Sequence, residues 1–232
     1  MSVEKKFDLK ALASMDVKDL FKKRNVSGED REKTSKAMMK PVVSFDFGSS
    51  FIKIVEGRYV RGQLKVSKWF KVETPVGAIV DGKIMDKISL VNALEQGLKL
   101  YKLKATDAIC VINSTQIINR ELLIPVVADD EVETVVRYEI QKFLPINLDD
   151  YLVQYVKLGE VEVNGAMKYR LNIITFPQKM GYAYYELMKE LDLKPYVLDV
   201  SYNAIGKLCN YTKMLNTVTD AEGTVAFVDM GA

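Results

Sequence analysis

Histidine is absent from all 232 residues, and cysteine occurs only twice. Without an imidazole there is no Ser-His or Cys-His nucleophile pair and no histidine-ligated zinc. Cys110 and Cys209 lie far apart, in apolar stretches of strand-like and helix-like character. Buried free thiols are expected there, not a disulfide. An excess of one charge is also lacking. The 33 basic and 31 acidic residues leave a formal net charge of +2, which argues against non-specific nucleic-acid binding as the main role. No apolar run approaches the roughly 20 residues of a membrane-spanning helix, and no secretory signal opens the sequence, so a cytosolic location is expected. What is plentiful is apolar material: 48 % hydrophobic residues suffice for one large or two small domains with a buried core.

The most informative stretch is Val42 to Val55, with the sequence VVSFDFGSSFIKIV. An apolar run delivers Asp46, Gly48, Ser49 and Ser50 into a tight turn, and a second apolar strand leaves it. Gly48 has no Cβ, so backbone N–H groups at this turn can approach a phosphate closely. Asp46 can reach a hydrated magnesium, and Lys53 brings a cation nearby. The same residues also suit an ordinary hairpin with polar turn positions. Near the other end, the apolar run Val225 to Val228 leads into Asp229 and Gly231, a second Asp-x-Gly strand end.

Elsewhere, periodicity sets out the elements. Leu9, Leu12, Met15, Val17, Leu20 and Phe21 give imperfect helical spacing over Asp8 to Arg24, and a charged, serine-rich tether follows. That segment suits either a membrane- or partner-docking helix or a disordered leader. Strands are expected at 42–47, 51–60 and 64–74, a helix at 89–102 and a strand at 108–112. A strand at 116–123 precedes a helix with Asp130 and Glu133 placed as a capping box and Pro145 at its end. Strands 151–162 and 167–176 are joined by Asn164-Gly165, a type I′ hairpin signal. Pro177 opens a helix, a strand runs 196–200, and another helix carries Ile205, Leu208 and Cys209. The polar stretch 212–223 reads as a crossover. Asp81 and Asp107 are the aspartates near strand or loop ends in the first part that a kinase base would need, although a solvent-exposed loop aspartate is the commoner explanation of each.

Several phrases, in order, resemble the PilM family, the actin-like proteins of type IV pilus assembly. They are FDFGSSFIK, Gly77 to Ile84 (GAIVDGKI), Arg137 to Pro145 (RYEIQKFLP), Leu193 to Val200 (LKPYVLDV) and VDMGA at Val228 to Ala232. The resemblance implies an α/β fold: an actin-like ATPase (ribonuclease H-like) first lobe with an inserted FtsA/PilM-type 1C subdomain, an SHS2 domain, and a second lobe largely absent. It divides the chain into an N-terminal extension (1–40), subdomain 1A (41–113 and 177–223), subdomain 1C (114–176) and the start of subdomain 2A (224–232). It implies ATP and magnesium as cofactors of the full-length form. Asp46 and Asp229 would stand on the metal side, with Gly48, Ser49, Ser50, Lys53 and Gly231 on the phosphates. It implies as partners the cytoplasmic N-terminal peptide of a PilN-like inner-membrane protein and the pilus motor ATPases, and no nucleic acid. Arg137, Glu139 and Pro145 would lie at the partner groove, although charges on a helix also suit a solvated face. Membrane association would be indirect, at the inner face of the cytoplasmic membrane. An FtsA-like cell-division adaptor and an actin-superfamily ATPase or small-molecule kinase are the alternatives. Where family members usually continue Glu-Pro after L-D-V, this chain has Ser201-Tyr202, so at most weak ATPase activity is expected.

Overall fold

A computed structural model describes residues 40–60, 63–144, 147–212, 214–215, 218–219 and 226–228. Three antiparallel strands open it: β1 (Val42–Phe47), β2 (Phe51–Val60) and β3 (Gln63–Glu73). Alternation decides their faces. Val43, Phe45, Phe47, Ile52, Ile54 and Phe70 are buried on one side, while Ser44, Asp46 and Lys53 point to the other. A short hairpin of β4 (Ile79–Val80) and β5 (Lys83–Ile84) leads to α1 (Lys87–Leu100). Asp86 caps α1 by accepting from the Ser89 N–H at 3.0 Å. Leu90, Val91 and Leu94 face the sheet. A Cβ on Gly97 would stand 2.5 Å from Val72 Cγ2, so only glycine lets α1 sit this close to β3. Then β6 (Asp107–Ile112) returns parallel to β1.

The chain next builds a second, separate sheet in the order strand–helix–strand–strand. Its elements are β7 (Ile118–Pro125), α2 (Val132–Gln141), a 3-10 turn (Leu148–Asp150), β8 (Tyr151–Val163) and β9 (Ala166–Pro177). The three strands lie in the order β7-β9-β8. Asn164 and Gly165 join β8 to β9 with φ of 54° and 76°, the left-handed pair that a type I′ turn requires. Ile124, Val136, Ile140, Leu148, Leu171 and Ile173 form a core of their own beneath α2.

The chain then re-enters the first unit through α3 (Gln178–Glu190), β10 (Lys194–Val200) and α4 (Ser201–Thr212), followed by the two-residue pair β11 (Met214–Leu215) and β12 (Val218–Thr219). Since β10 runs parallel to β6, the large sheet has the order β3-β2-β1-β6-β10. A three-stranded antiparallel meander extended by two parallel strands, each reached through a crossover, is the actin-like, ribonuclease H-like arrangement. Met180, Tyr184, Leu187 and Met188 of α3 pack with α1 on one face of it. The Tyr184 hydroxyl donates to the Gly82 carbonyl at 3.0 Å, tying α3 to the β4–β5 hairpin.

Four expectations change. No capping box forms at Asp130 and Glu133: α2 starts at Val132 behind Glu131, which makes no side-chain cap, so Glu133 sits one position too early. Cys110 is buried, its thiol pushed up to about 12 by loss of solvent, but Cys209 is only half-buried on α4. The polar stretch after α4 contains the β11–β12 pair. Asp81 has a structural post: its φ is 47°, and its carboxylate accepts from the Thr115 N–H at 2.8 Å and hydroxyl at 2.6 Å. Those two bonds hold its pKa below the usual carboxylate value and pin the β4–β5 hairpin to the strand-linking segment.

Candidate functional site

The β1–β2 turn is built tightly. The Gly48 N–H donates to the Phe51 carbonyl at 3.1 Å, and a Cβ at Gly48 would meet that same oxygen at 2.7 Å. Glycine is therefore required by the hairpin itself. Thr74, just past β3, clamps the loop from below: its N–H donates to the Ser50 carbonyl at 3.0 Å and its hydroxyl to the Gly48 carbonyl at 2.8 Å. One residue before the turn, Asp46 stands directly across from Lys53, whose ammonium donates to its carboxylate at 3.1 Å. Both side chains stay well exposed, so this pair is a surface feature.

Register extends that level across the sheet. Lys71, Lys53, Asp46, Val111 and Asp199 are neighbours on successive strands and share one face. Asp46 and Asp199 are thus separated by two strand spacings, about 10 Å. Asp199 is the more deeply held carboxylate, accepting from Lys207 Nζ and Asn203 Nδ2 at 2.6 Å each and from the Val200 N–H at 2.9 Å. The result is two carboxylates, each with a lysine, on one sheet face below a glycine turn. Among the described residues no cluster of three metal-binding side chains forms. Sequence reasoning passed over Asp199 and Thr74 as site residues. For Asp199 a signal existed, because Phe45-Asp46-Phe47 and Leu198-Asp199-Val200 both place an aspartate second from the end of an apolar strand. Asp229, Gly231 and Pro145 lie outside the described residues.

A second feature lies where the two sheets meet. Both β8 and β10 are edge strands. Between them runs a cleft made of two hollows of about 290 and 90 Å³, continuous at Gln154 and Leu198. Tyr185, Tyr196 and Phe176 give it apolar walls. Elsewhere at the junction Lys83, Gln116, Asp150, Tyr151 and Lys179 ring a hollow of about 460 Å³. Residues at the start of α3, Lys179 and Met180 among them, line part of that hollow. Arg137 and Glu139 sit on α2, over the small core and on the opposite face of the small sheet from the cleft. Arg137 donates to the Leu148 carbonyl and to Asp149, at 3.4 and 3.3 Å, and Glu139 pairs with Lys142 at 2.6 Å.

The family model of the type IV pilus assembly protein PilM matches residues 44–232. The chain belongs to the PilM family. The match opens two residues before Asp46 and takes in both sheets. Among solved structures, a PilM–PilN type IV pilus biogenesis complex superposes with a TM-score of 0.62 at 19 % identity, over 73 % of this chain and 51 % of that one. The PilM-family chain described here therefore spans about half the length of the solved structure it matches, and the likeness is one of fold. The cytoplasmic domain of EpsL, an inner-membrane component of the type II secretion system of Vibrio cholerae, matches with a TM-score of 0.48 at 12 % identity, over 69 % of this chain and 57 % of that one. A Bacteroides thetaiotaomicron protein with an actin-like ATPase fold and unknown function matches with a TM-score of 0.36 at 11 % identity, over 78 % and 60 %. No helix among the described residues is long and apolar enough to cross a membrane.

Proposed function

We propose that this PilM-family protein is a cytoplasmic scaffold of type IV pilus assembly that receives the extended N-terminal peptide of a PilN-type inner-membrane partner in the cleft between β8 and β10. The observation that carries this reading is a cleft lined by residues of two edge strands, β8 and β10. An extended peptide gains affinity by satisfying unpaired backbone groups at such edges and selectivity from side-chain pockets beside them. Leu198, Tyr196 and Tyr185 are the pocket walls that would take an apolar anchor. On this reading the strand–helix–strand–strand unit is the 1C (SHS2) insertion, comprising residues 114–176, between the two parts of subdomain 1A. Nucleotide is the second half of the proposal. In the full-length form Asp46 would face magnesium and the Gly48-Ser49-Ser50 turn, with Lys53, would face the phosphates of ATP. Two features support the fit: the carboxylate is exposed, and the turn is fixed by Thr74.

Calorimetric titration of the PilN-type peptide is the test. Micromolar affinity, about −8 kcal/mol, is expected for a short peptide held by backbone bonds and one or two anchors. Leu198→Arg, in a variant whose circular dichroism matches the parent, should remove that binding. Absence of binding to the parent, or undiminished binding to a folded Leu198→Arg variant, rejects the cleft. Magnesium-ATP titrated onto the full-length form tests the nucleotide half, where Asp46→Asn must lower the affinity.

A further inference from the structure

Glycine inside a helix destabilises it relative to alanine, so a glycine kept there has a local cause. On α1 the cause is contact, since a Cβ on Gly97 would stand 2.5 Å from Val72 Cγ2. Gly181 on α3 is different. It is buried, yet a Cβ there would meet Leu198 Cδ2 at 3.3 Å, Leu152 Cδ1 at 3.6 Å and Phe176 Cε1 at 3.7 Å. These three nearest atoms are tips of side chains, not backbone, and only Leu198 would have to yield slightly. The seating of α3 therefore does not demand glycine. All three tips belong to the cleft between β8 and β10: Leu198 lines both of its hollows, and Leu152 and Phe176 line the smaller one. Gly181 itself lines the larger hollow. The room left by its missing side chain opens into the cleft beside Leu198.

The larger hollow is chemically uniform. Among the described residues no lysine, arginine or carboxylate lines it. Cys110, one of its lining groups, is buried, which pushes the thiol up to about 12 and keeps it uncharged. Tyr184 is buried too, its phenol is likewise raised, and its hydroxyl is given to the Gly82 carbonyl. Asp199 lines the smaller hollow and is already engaged by Lys207 and Asn203, at 2.6 Å each. A charged side chain entering the larger hollow would lose its water and meet no counter-ion. A hydrocarbon or ring would gain by the same loss of water.

We infer that Gly181 is a specificity-determining residue of the cleft, its missing side chain leaving an anchor pocket for one bulky, uncharged apolar side chain of the bound peptide. This rests on the reading of the cleft as the peptide site. The rest of the peptide, held through its backbone at the strand edges, tolerates substitution where the anchor does not.

A cycle between protein and peptide tests this. Calorimetry with the synthetic N-terminal peptide of the PilN-type partner compares the parent, Gly181→Ala and Gly181→Leu. Each is titrated with the unchanged peptide and with a set in which every apolar residue in turn becomes alanine. In the parent, truncation at one position should lower affinity by roughly thirtyfold or more. Aspartate at that position should abolish binding. Gly181→Ala should weaken the unchanged peptide by roughly fivefold or more, and Gly181→Leu should weaken it further. In Gly181→Leu the truncated peptide should bind as well as the unchanged one, because the added side chain fills the pocket. Truncations elsewhere should keep their parent effects. Gly181→Ala should melt no lower than the parent, since its helix propensity is better. The inference is overturned if the peptide binds but both variants leave its affinity unchanged, or if no single peptide position couples to Gly181. A Gly181→Ala protein that melts well below the parent overturns it too, because packing alone then demands the glycine. A parent that binds no peptide rejects the cleft itself, and this pocket with it.

Discussion

The five-stranded sheet is packed beneath two helices, α1 and α3, whereas the three-stranded sheet has only the ten-residue α2 over its core. The large unit is also assembled from distant sequence: β1 pairs with β6, and β6 with β10, so its core closes only when the chain returns after the insertion. The small unit is mostly a single long hairpin, β8 with β9, closed by a two-residue turn, with β7 added along one side. Their buried polar groups do not separate them: Glu56 in the large sheet is served by partners, but among the described residues the Thr175 hydroxyl of the small unit and the Tyr202 hydroxyl of the large one both lack a partner. A unit with less cover and a local ladder is the one that opens first. That places mobility beside the cleft, on the β8 side of it.

The largest effects test this ranking. Phe45 is fully buried in the large core, stacked on Phe47 at 5.7 Å. Phe45→Ala should cost about 3–5 kcal/mol in chemical denaturation. Ile140, buried under α2, should cost about 2–4 kcal/mol as Ile140→Ala. The distinguishing measurement is native-state hydrogen exchange. In the Ile140→Ala protein, protection should fall in β7, β8 and β9 and persist in β1, β2 and β6. Equal loss in both sheets would mean that the two units open as one body.

Much of this arrangement was legible in the sequence. Alternation at Val43, Phe45 and Phe47 gave the inner face of β1, and Asn164-Gly165 gave the hairpin turn, because both signals act within a few residues. Met180, Tyr184, Leu187 and Met188 gave the inner face of α3 at helical spacing, and all four are buried. What stayed hidden depends on partners far along the chain. Asp81 looks like a free loop carboxylate until Thr115 is brought against it. The Asp46–Asp199 level requires knowing that β1, β6 and β10 run in register. The start of α2 was misread because Asp130 and Glu133 have capping-box spacing, yet the N-terminal turn forms around Glu131.

Glu56 sharpens the comparison from the polar side. It is 2 % exposed and accepts from the N–H groups of Lys104 and Ala105 at 2.7 Å each, with Lys68 at 3.3 Å. Burial by itself would raise its pKa, but those N–H groups and the ammonium together hold it below the usual 4.5. A carboxylate with a depressed folded pKa adds stability above the unfolded value, and that stability is lost as pH falls through the folded one. Glu56→Gln should therefore cost about 1–3 kcal/mol at neutral pH. The gap between variant and parent should narrow below pH 4.5, the ordinary carboxylate value from which Glu56 is lowered. Urea titrations at neutral and acid pH read both. A gap that stays constant into acid would mean that the ionised form is not what the loop after α1 holds.

The smallest effect concerns how α2 is strapped to its sheet. Arg137 links α2 to the 3-10 turn through the Leu148 carbonyl and Asp149, yet the Asp149 side chain is 76 % exposed and the contacts are long, at 3.3–3.4 Å. A pair this open gives back most of its Coulomb gain to solvent and to side-chain entropy, so Arg137→Ala should cost only about 0.2–1 kcal/mol. The cost should shrink further in high salt, where exposed charges are screened. Val136 and Ile140, on the buried side of the same helix, carry the attachment instead. Thermal melts of Arg137→Ala at low and high salt separate the two possibilities. A loss comparable to that of Ile140→Ala, insensitive to salt, would make the ion pair the strap and the small core secondary to it.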